Sequence, residues 1–463
     1  MPSRAVQTRI REKMEERGIP SDAIEGFWAN VRRMALEKSA YVPLDEVSAP
    51  DSSLVFDIEA ESEEIRDLEE RGLSLLSKVV VIKLNGGRST TMGGEVPKGV
   101  LVAKDGMSYL EIIARQTEAQ QKKWDVDTPL VLMNSFFTHH ATLDVIDRFG
   151  IPIEVFLQNQ VPRLIESTLN PLQTGTEDDW APPGHGDVYE SLGRSGLLRK
   201  FLQEGRQWAF VSNLDNLAAV VEPWILGLID REKMDFLMEV TDRTEADRKG
   251  GTLVVRDGRL DLLEIAQVCP GEEDRFMDVD RFRVFNTNNL WVDLHALALS
   301  LESKALALPI IQNRKRVGGC SVVQIETAMG AACRCFSRAG GLRVGRDRFH
   351  PTKRVEDLFL LQSDVSVLDS MFRLRANPGR PENLMLRPRV VFGSDFLDSP
   401  LKMDSGFEDS TSVSLVHAES FEVFGSVFFE RDVRIEGKVT IKGPSEGVCR
   451  IPRGSVLQDT VFP

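Results

Sequence analysis

Lys78-Val-Val-Val-Ile-Lys83-Leu84-Asn85-Gly86-Gly87-Arg88-Ser89-Thr90-Thr91-Met92-Gly93-Gly94-Glu95-Val96-Pro97-Lys98 decides the fold of this chain. Its first half is a short apolar, β-branched run with no polar face, which predicts a strand of a parallel sheet buried on both sides. The strand runs into a loop of glycines and hydroxyls, and Lys98 follows. Small residues let backbone N–H groups approach phosphates or a flat base, and a concave run of such donors attracts anions. A lysine adds a mobile point charge. A plain strand-to-helix turn is the simpler reading of the glycines alone. No Gly-Lys-Ser/Thr closes the loop, so it is not a P-loop, and the G-x-G-x-x-G spacing of a dinucleotide fold is missing.

The rest of the chain sets bounds on that reading. Its 463 residues suffice for two or three domains of about 150 residues each. A formal net charge of −14 argues against nucleic acid or an anionic membrane as the main partner, though not against a local basic pocket for a small anion. The five cysteines are Cys269, Cys320, Cys333, Cys335 and Cys449. Their odd number and the lack of a C-x-x-C pair predict reduced thiols and a cytoplasmic protein. Cys333-Arg-Cys335 is too tight for a usual zinc pair and reads as buried packing. Met1-Pro-Ser-Arg has no apolar signal core, and no apolar run approaches the length of a membrane span.

Residues 1–75 read as charged helices packing on the core. Ser21-Asp22 is placed to cap a helix carrying Ile24, Phe27, Trp28, Val31 and Met34 at helical spacing, a stripe suited to packing on the next domain. An acidic helix from about Glu59 to Arg71 reads as a solvated face. From 76 to 380, strand-like runs at Leu130–Met133, Ile153–Phe156, Trp208–Val211 and Phe236–Val240 alternate with helical or loop stretches. That alternation predicts an α/β domain around a mostly parallel sheet, with ligands beyond the carboxyl ends of its strands. Pro378, Pro381 and Pro388 mark a linker. From 381 to 463, short β-rich segments recur at Phe421–Gly425, Ser426–Phe429, Val433–Gly437 and Lys438–Ile441, with glycine or aspartate corners, which suggests stacked β-helical rungs.

Polar clusters follow the strand ends. Gln158, in Phe156-Leu-Gln158-Asn159-Gln160-Val161-Pro162-Arg163, offers the donor and acceptor that the edge of a pyrimidine demands. In Trp180-Ala-Pro182-Pro183-Gly184-His185-Gly186-Asp187, prolines stiffen the entry and glycines leave His185 uncovered. Ser212-Asn213-Leu214-Asp215-Asn216 presents one carboxylate and two amides. It reads equally as a partial Mg²⁺ site completed by phosphate and water or as a turn with an Asx motif. Gly251, Leu263-Glu264 and Phe285-Asn286-Thr287-Asn288-Asn289 supply amides and a carboxylate of the kind sugar hydroxyls require. The small residues of Gln324–Ala332 read as close helix packing. Arg346-Asp347-Arg348-Phe349-His350-Pro351-Thr352-Lys353 is a basic cluster with few acidic partners, either a solvated face or a sign of a nearby anion.

These strings together resemble the UTP–glucose-1-phosphate uridylyltransferases, also called UDP-glucose pyrophosphorylases. Their loop is close to K-L-N-G-G-L-G-T-x-M-G followed by a lysine. Lys83 to Gly87, Thr90, Met92-Gly93 and Lys98 match, whereas Arg88 stands at the leucine and Ser89 at the loop glycine. P-P-G-H-G-D is specific to the family, and R-F-x-P-x-K is matched through Lys353. The resemblance runs from about residue 75 to the end. It implies a nucleotide-diphospho-sugar transferase domain, Rossmann-like, with a C-terminal left-handed β-helix domain. The reaction it implies joins UTP and α-D-glucose 1-phosphate to give UDP-glucose and pyrophosphate by in-line attack with Mg²⁺. It makes Lys98 and Lys353 catalytic, and gives the nucleotide to Leu84, Asn85, Gly86, Gly87, Gln158, Gly184 and Asp215. The metal goes to Asp215, and the sugar phosphate to His185, Asn213, Gly251, Glu264, Asn286 and Asn288. The C-terminal domain would be structural or join copies into a homo-oligomer. Two other readings stand beside this one: a non-catalytic nucleotide-sugar-binding homologue, and a pyrophosphorylase for another sugar 1-phosphate. The first would follow if Ser89 were forced into the left-handed region, at about 1–3 kcal/mol of strain, or if Arg88 clashed with the base instead of adding a phosphate contact.

Overall fold

The computed structural model describes residues 2–36, 41–59, 62–89, 92, 94, 96–385, 387–397 and 401–462. Thr90, Thr91, Gly93 and Glu95 of the glycine loop lie outside the described residues. An eight-stranded sheet organises the chain. Its strands are β1 (Val55–Phe56), β2 (Val79–Asn85), β3 (Leu130–Asn134), β4 (Ile153–Leu157), β5 (Trp208–Asn213), β6 (Phe236–Asp242), β7 (Val284–Asp293) and β8 (Ala339–Arg343). Their order is β1-β8-β6-β7-β5-β2-β3-β4. Every neighbour pair is parallel except those of β7, which runs antiparallel to β5 and β6.

β2 is the strand expected from the opening stretch, and all seven of its residues are buried. Successive side chains point to opposite faces. Val79 and Val81 accordingly join one apolar cluster, with Leu130, Leu132 and Phe210. Val80 and Ile82 join another, with Val131, Met133 and Val211. Lys83 is buried in the same strand. Its Nζ donates to the Ser212 hydroxyl at 2.7 Å and the Ala219 carbonyl at 2.6 Å, and burial, with Arg348 nearby, pushes its pKa down to about 7.

The N-terminal helices Arg4–Glu16 and Ser21–Leu36 pack Ile10, Met14, Phe27 and Val31 against Val161, Trp180 and Ile325. Ser21 and Asp22 form the first turn of the later helix rather than its cap, and Asp22 pairs with Arg194. The acidic helix Glu63–Leu73 is more than a solvated face. Gly72 and Gly227 let it lie backbone to backbone on helix Pro223–Arg231, where a Cβ at either position would overlap the other helix's main chain. Gln324–Ala332 is not helix packing. It is the end of strand Cys320–Thr327 followed by a 3-10 turn, Met329–Cys335. Gly330 is small because a Cβ there would lie 2.8 Å from Leu262 and Met238.

Beyond the linker, β9 (Arg389–Phe392), β10 (Ser414–Phe424), β11 (Arg434–Lys442) and β12 (Val456–Gln458) pair in parallel in that order. Val427–Phe429 pairs in parallel with Cys449–Ile451. The runs expected at Val433–Gly437 and Lys438–Ile441 are one strand, carried past Gly437 by its φ of +66°. Phe396, Phe407, Phe421 and Phe429 fill the interior together with Phe359 from the preceding helix Val355–Gln362. All five cysteines are free thiols, with Cys333 buried. Among the described residues no helix is long and apolar enough to cross a membrane.

Candidate functional site

Three strand ends meet at one cavity. β2 delivers Leu84 and Asn85 and then Gly86-Gly87; Gln158 follows β4; β5 delivers Asn213 and, two residues on, Asp215. With Gly184, these residues line a cavity of about 280 Å³, and Lys98 and His185 line it too. All seven positions expected to hold the nucleotide are thus brought together, at the carboxyl edge where an open α/β sheet takes its ligand.

One end of the cavity suits a base. A Cβ on Gly86 would lie 2.8 Å from Gln158 Nε2, so the loop leaves room for no side chain beside the Gln158 amide. The Gln158 N–H donates to the Asn134 carbonyl at 2.9 Å, which fixes the residue at the strand end. Gly184 closes the wall with φ +85° and ψ 169°, a conformation open almost solely to glycine. Asn85 does more for the scaffold than for a ligand: its Nδ2 donates to Asn134 Oδ1 at 2.7 Å and Thr142 Oγ1 at 2.8 Å.

The other end is charged. Lys98 Nζ contacts Asp215 Oδ2 at 2.7 Å and the Thr352 carbonyl at 2.7 Å. Lysine and carboxylate are thus neutralised by each other until an anion or a cation arrives. His185 Nδ1 accepts the Met329 N–H at 3.0 Å. Burial, and the charge of Lys353, hold its pKa down to about 4. The imidazole is therefore neutral at pH 7 with its proton on Nε2, which makes it a hydrogen-bond donor.

Gly251, Glu264, Asn286 and Asn288 form a separate group that does not line this cavity. The Asn286 N–H donates to the Gly251 carbonyl at 3.0 Å. Asn286 Nδ2 donates to Asn288 Oδ1 at 3.0 Å, and Asn288 N–H returns a bond to Asn286 Oδ1 at 2.8 Å. That reciprocal pair holds Asn288 at φ +58°. A Cβ on Gly251 would lie 2.5 Å from Glu264 Oε1. Burial raises the Glu264 carboxyl to about 7, opposed by Lys353 and Arg243. The Lys353 charge acts on both Glu264 and His185, so this lysine lies within electrostatic reach of both groups.

The basic cluster is corrected in part. Arg348 is buried and grips Glu239 through Nε and a terminal nitrogen at 2.9 and 2.8 Å, and Arg346 pairs with Asp247 at 2.6 Å. Their acidic partners lie far back in the sequence, so these two charges do not call for an anion. For Ser89 the condition for strain is not met. Its φ is not in the left-handed region, and its N–H and hydroxyl both donate to the Val96 carbonyl, at 3.1 and 2.9 Å. Arg88 stacks on Phe137, 3.9 Å from the ring centroid. Two residues with no role assigned from sequence hold the site together. Asp187 accepts from Asn159 N–H and Nδ2 at 2.7 and 2.6 Å and from the Ser191 hydroxyl at 2.6 Å, which ties the Gln158 strand end to the His185 turn. Asn216 bonds to the segment that precedes Lys353. Asp187 could have been suspected from the P-P-G-H-G-D string; Asn216 stood out only as the second amide beside Asp215, with nothing local to tie it to residues 348–350.

A glycine-lined, lysine-bearing cavity at the carboxyl edge of a mostly parallel sheet defines an α/β protein of the nucleotide-sugar transferase kind. Comparison with known proteins narrows the class. The chain belongs to the UTP–glucose-1-phosphate uridylyltransferase family, whose model matches residues 24–436. It is 39 % identical over 444 residues to the UTP–glucose-1-phosphate uridylyltransferase of Hordeum vulgare, covering 94 % of this chain and 92 % of that one. To that of Saccharomyces cerevisiae it is 38 % identical over 452 residues, covering 95 % and 88 %. Among solved structures, the UDP-glucose pyrophosphorylase of Leishmania major superposes with a TM-score of 0.85 at 31 % identity over 99 % of each chain. The UDP-glucose phosphorylase of Trypanosoma brucei does so with the same score, identity and coverage.

Proposed function

We propose that this chain is a uridylyltransferase that converts UTP and α-D-glucose 1-phosphate to UDP-glucose and pyrophosphate, reversibly. The observation that carries the reading is the single cavity shared by Gly86, Gln158, Gly184, Lys98 and Asp215, set in a chain of this family. Gln158 and the Gly86 backbone would read the uracil, and Gly184 would lie against it. An oxygen of the glucose phosphate attacks the α-phosphorus of UTP; the new P–O bond forms as the bond to the bridging oxygen breaks, and pyrophosphate leaves with that oxygen. No protein nucleophile is required, and catalysis rests on positioning and charge neutralisation. Lys98 and Lys353 supply the charge, and His185 donates its Nε2–H to the sugar phosphate. Asn213, Gly251, Glu264, Asn286 and Asn288 hold the hexose end.

Asp215 suits Mg²⁺ as the single protein ligand of a site completed by phosphate oxygens and water. Bound there, Mg²⁺ would neutralise charge on the phosphates. Release of Lys98 from Asp215 would then leave the lysine to the α-phosphate.

The division into an N-terminal segment (1–75), a catalytic domain (76–380) and a C-terminal left-handed β-helix domain (381–463) belongs to the same proposal, supported by the parallel pairing of β9–β12. A cytoplasmic location accords with five free thiols. A homo-oligomer through the C-terminal strands is part of the proposal too.

The test is pyrophosphate release from UTP and glucose 1-phosphate with Mg²⁺, for the parent and Lys353→Ala. Release is expected from the parent, reduced about a hundredfold or more in the variant. UDP-glucose binding without release would instead mark a non-catalytic homologue. Faster release with a different sugar 1-phosphate would move the substrate, not the chemistry.

A further inference from the structure

Lys353 must stand at a fixed distance from Lys98 and Asp215, yet it comes from a segment far from both in sequence. Asp215 lies on the loop after β5, whereas Lys353 ends the Arg346–Lys353 segment. Lys98 bonds to both Asp215 and the Thr352 carbonyl, and a second, buried side chain joins the two backbones. Asn216, 1 % exposed, directly follows Asp215. Its Nδ2 donates to the Arg348 carbonyl at 3.0 Å and to Asn289 Oδ1 at 3.4 Å, while its Oδ1 accepts the His350 N–H at 2.9 Å. Its backbone forms an antiparallel bridge with Pro351. The segment is fixed again one residue before the lysine: the Thr352 carbonyl accepts from Lys98 Nζ, and its hydroxyl accepts from Tyr109 at 2.7 Å. Arg348 is anchored from below by Glu239.

We propose that Asn216 is a positioning residue: its amide clamps the backbone of residues 348–350 to the Asp215 loop and so sets Lys353 in register with Lys98 and Asp215. It touches no substrate. The proposal rests on the role given to Lys353 above. A buried amide suits the task because it donates and accepts at once. An isosteric carboxylate cannot donate: Asn216→Asp would keep the acceptor for His350 and set negative charge against the Arg348 carbonyl and Asn289 Oδ1. Misplacement of a catalytic group by about 1 Å is enough for a hundredfold loss of rate.

The experiment compares Asn216→Asp and Asn216→Ser with the parent, each alone and combined with Lys353→Ala. It measures kcat, UMP affinity and amide hydrogen exchange. UMP carries the base and the one phosphate assigned to Gln158, Gly86 and Lys98, not the groups assigned to Lys353, so its binding checks the fold; if the Asp variant loses it, the Ser variant decides. The expected result is a kcat about a hundredfold lower with UMP affinity unchanged. The His350 amide should exchange faster while those of β5 stay protected. Each double variant should be no slower than Lys353→Ala alone, because the two residues act through one group. Multiplying losses in the double variants, an unchanged kcat, or a still-protected His350 amide would each overturn the proposal. An inactive parent would count against the uridylyltransferase reading instead, and the His350 exchange would still decide whether Asn216 is the clamp.

Discussion

Gly184→Ala separates two costs that a site glycine can carry. At φ +85° and ψ 169°, any other residue is strained by about 1–3 kcal/mol. The space is closed as well. The added Cβ would lie 2.7 Å from the Thr327 nitrogen and nearer still to the Thr327 carbonyl oxygen, both backbone atoms. Thr327 N–H donates to the Pro183 carbonyl at 2.9 Å, so relief of the clash must stretch that bond, worth about 1 kcal/mol. The expected destabilisation is about 2–4 kcal/mol. Gly150→Ala is the matched control: φ is +75° with nothing within 4 Å of the added Cβ, so it carries only the left-handed cost of about 1–2 kcal/mol. Urea unfolding reads the stability of each variant, and calorimetric titration with UDP-glucose reads the site. Gly184→Ala is expected to lose more stability than Gly150→Ala and to bind at least about tenfold more weakly, equivalent to about 1.4 kcal/mol; Gly150→Ala should bind as the parent does. Equal binding by Gly184→Ala would show that the Pro183–Thr327 wall yields freely, and the argument for a rigid base pocket would fail.

Arg88→Leu combined with Ser89→Gly restores the family's loop residues. Because Arg88 is stacked on Phe137 and Ser89 is unstrained, pyrophosphate release should change by less than about tenfold; a large gain would show that the loop departures suppress turnover. Glu264→Gln tests the buried carboxyl. Its pKa is raised from 4.5 to about 7 by burial, so the folded protein holds the proton more tightly than the unfolded chain does. That contribution to stability is complete below about pH 4.5 and is lost as pH rises through about 7, a change of at most about 3 kcal/mol. Urea unfolding between pH 5 and 8 should therefore show parent stability falling relative to the Gln variant, and parallel curves would refute the assignment.

Much of the site was legible because its chemistry is local in sequence. Lys83–Gly87, Gln158 and Asn213–Asp215 each lie at or just past the end of a strand whose apolar pattern announces it, so the rule that ligands sit at carboxyl strand ends gathers them without tertiary information; Gly184-His185 follow no such strand and stood out through the P-P-G-H-G-D string. β7 was less legible. Asn286-Thr287-Asn288-Asn289 reads as a set of amides for sugar hydroxyls, with no strand expected there, yet it lies within an antiparallel strand. The sheet admits it because Thr287 donates to the Glu239 carbonyl at 2.6 Å and Asn289 donates to Glu239 Oε2 at 3.1 Å. Polar residues in a buried strand are tolerated when a neighbouring strand offers their partners, and that neighbour cannot be named from a local pattern.

Glu239 shows why the rest stayed hidden. Within Phe236-Leu-Met-Glu-Val it reads as a lone acid in an apolar strand, and 109 positions later Arg348 reads as one more charge in a basic cluster. Taken apart, Glu239 is a costly buried acid and Arg348 suggests an anion site. Together they form a buried pair that Trp291 Nε1 also supports, with a bond of 3.1 Å to Glu239 Oε1. A buried pair of this kind is a weak source of stability, since desolvation offsets much of the attraction. Its consequence is geometric: it fixes the start of the segment whose far end is Lys353, while Asn216 fixes the middle and Thr352 the last step. The residues expected to touch substrate were visible as motifs. Those that set the distances between them are single, chemically ordinary side chains whose meaning comes only from partners brought close by the sheet.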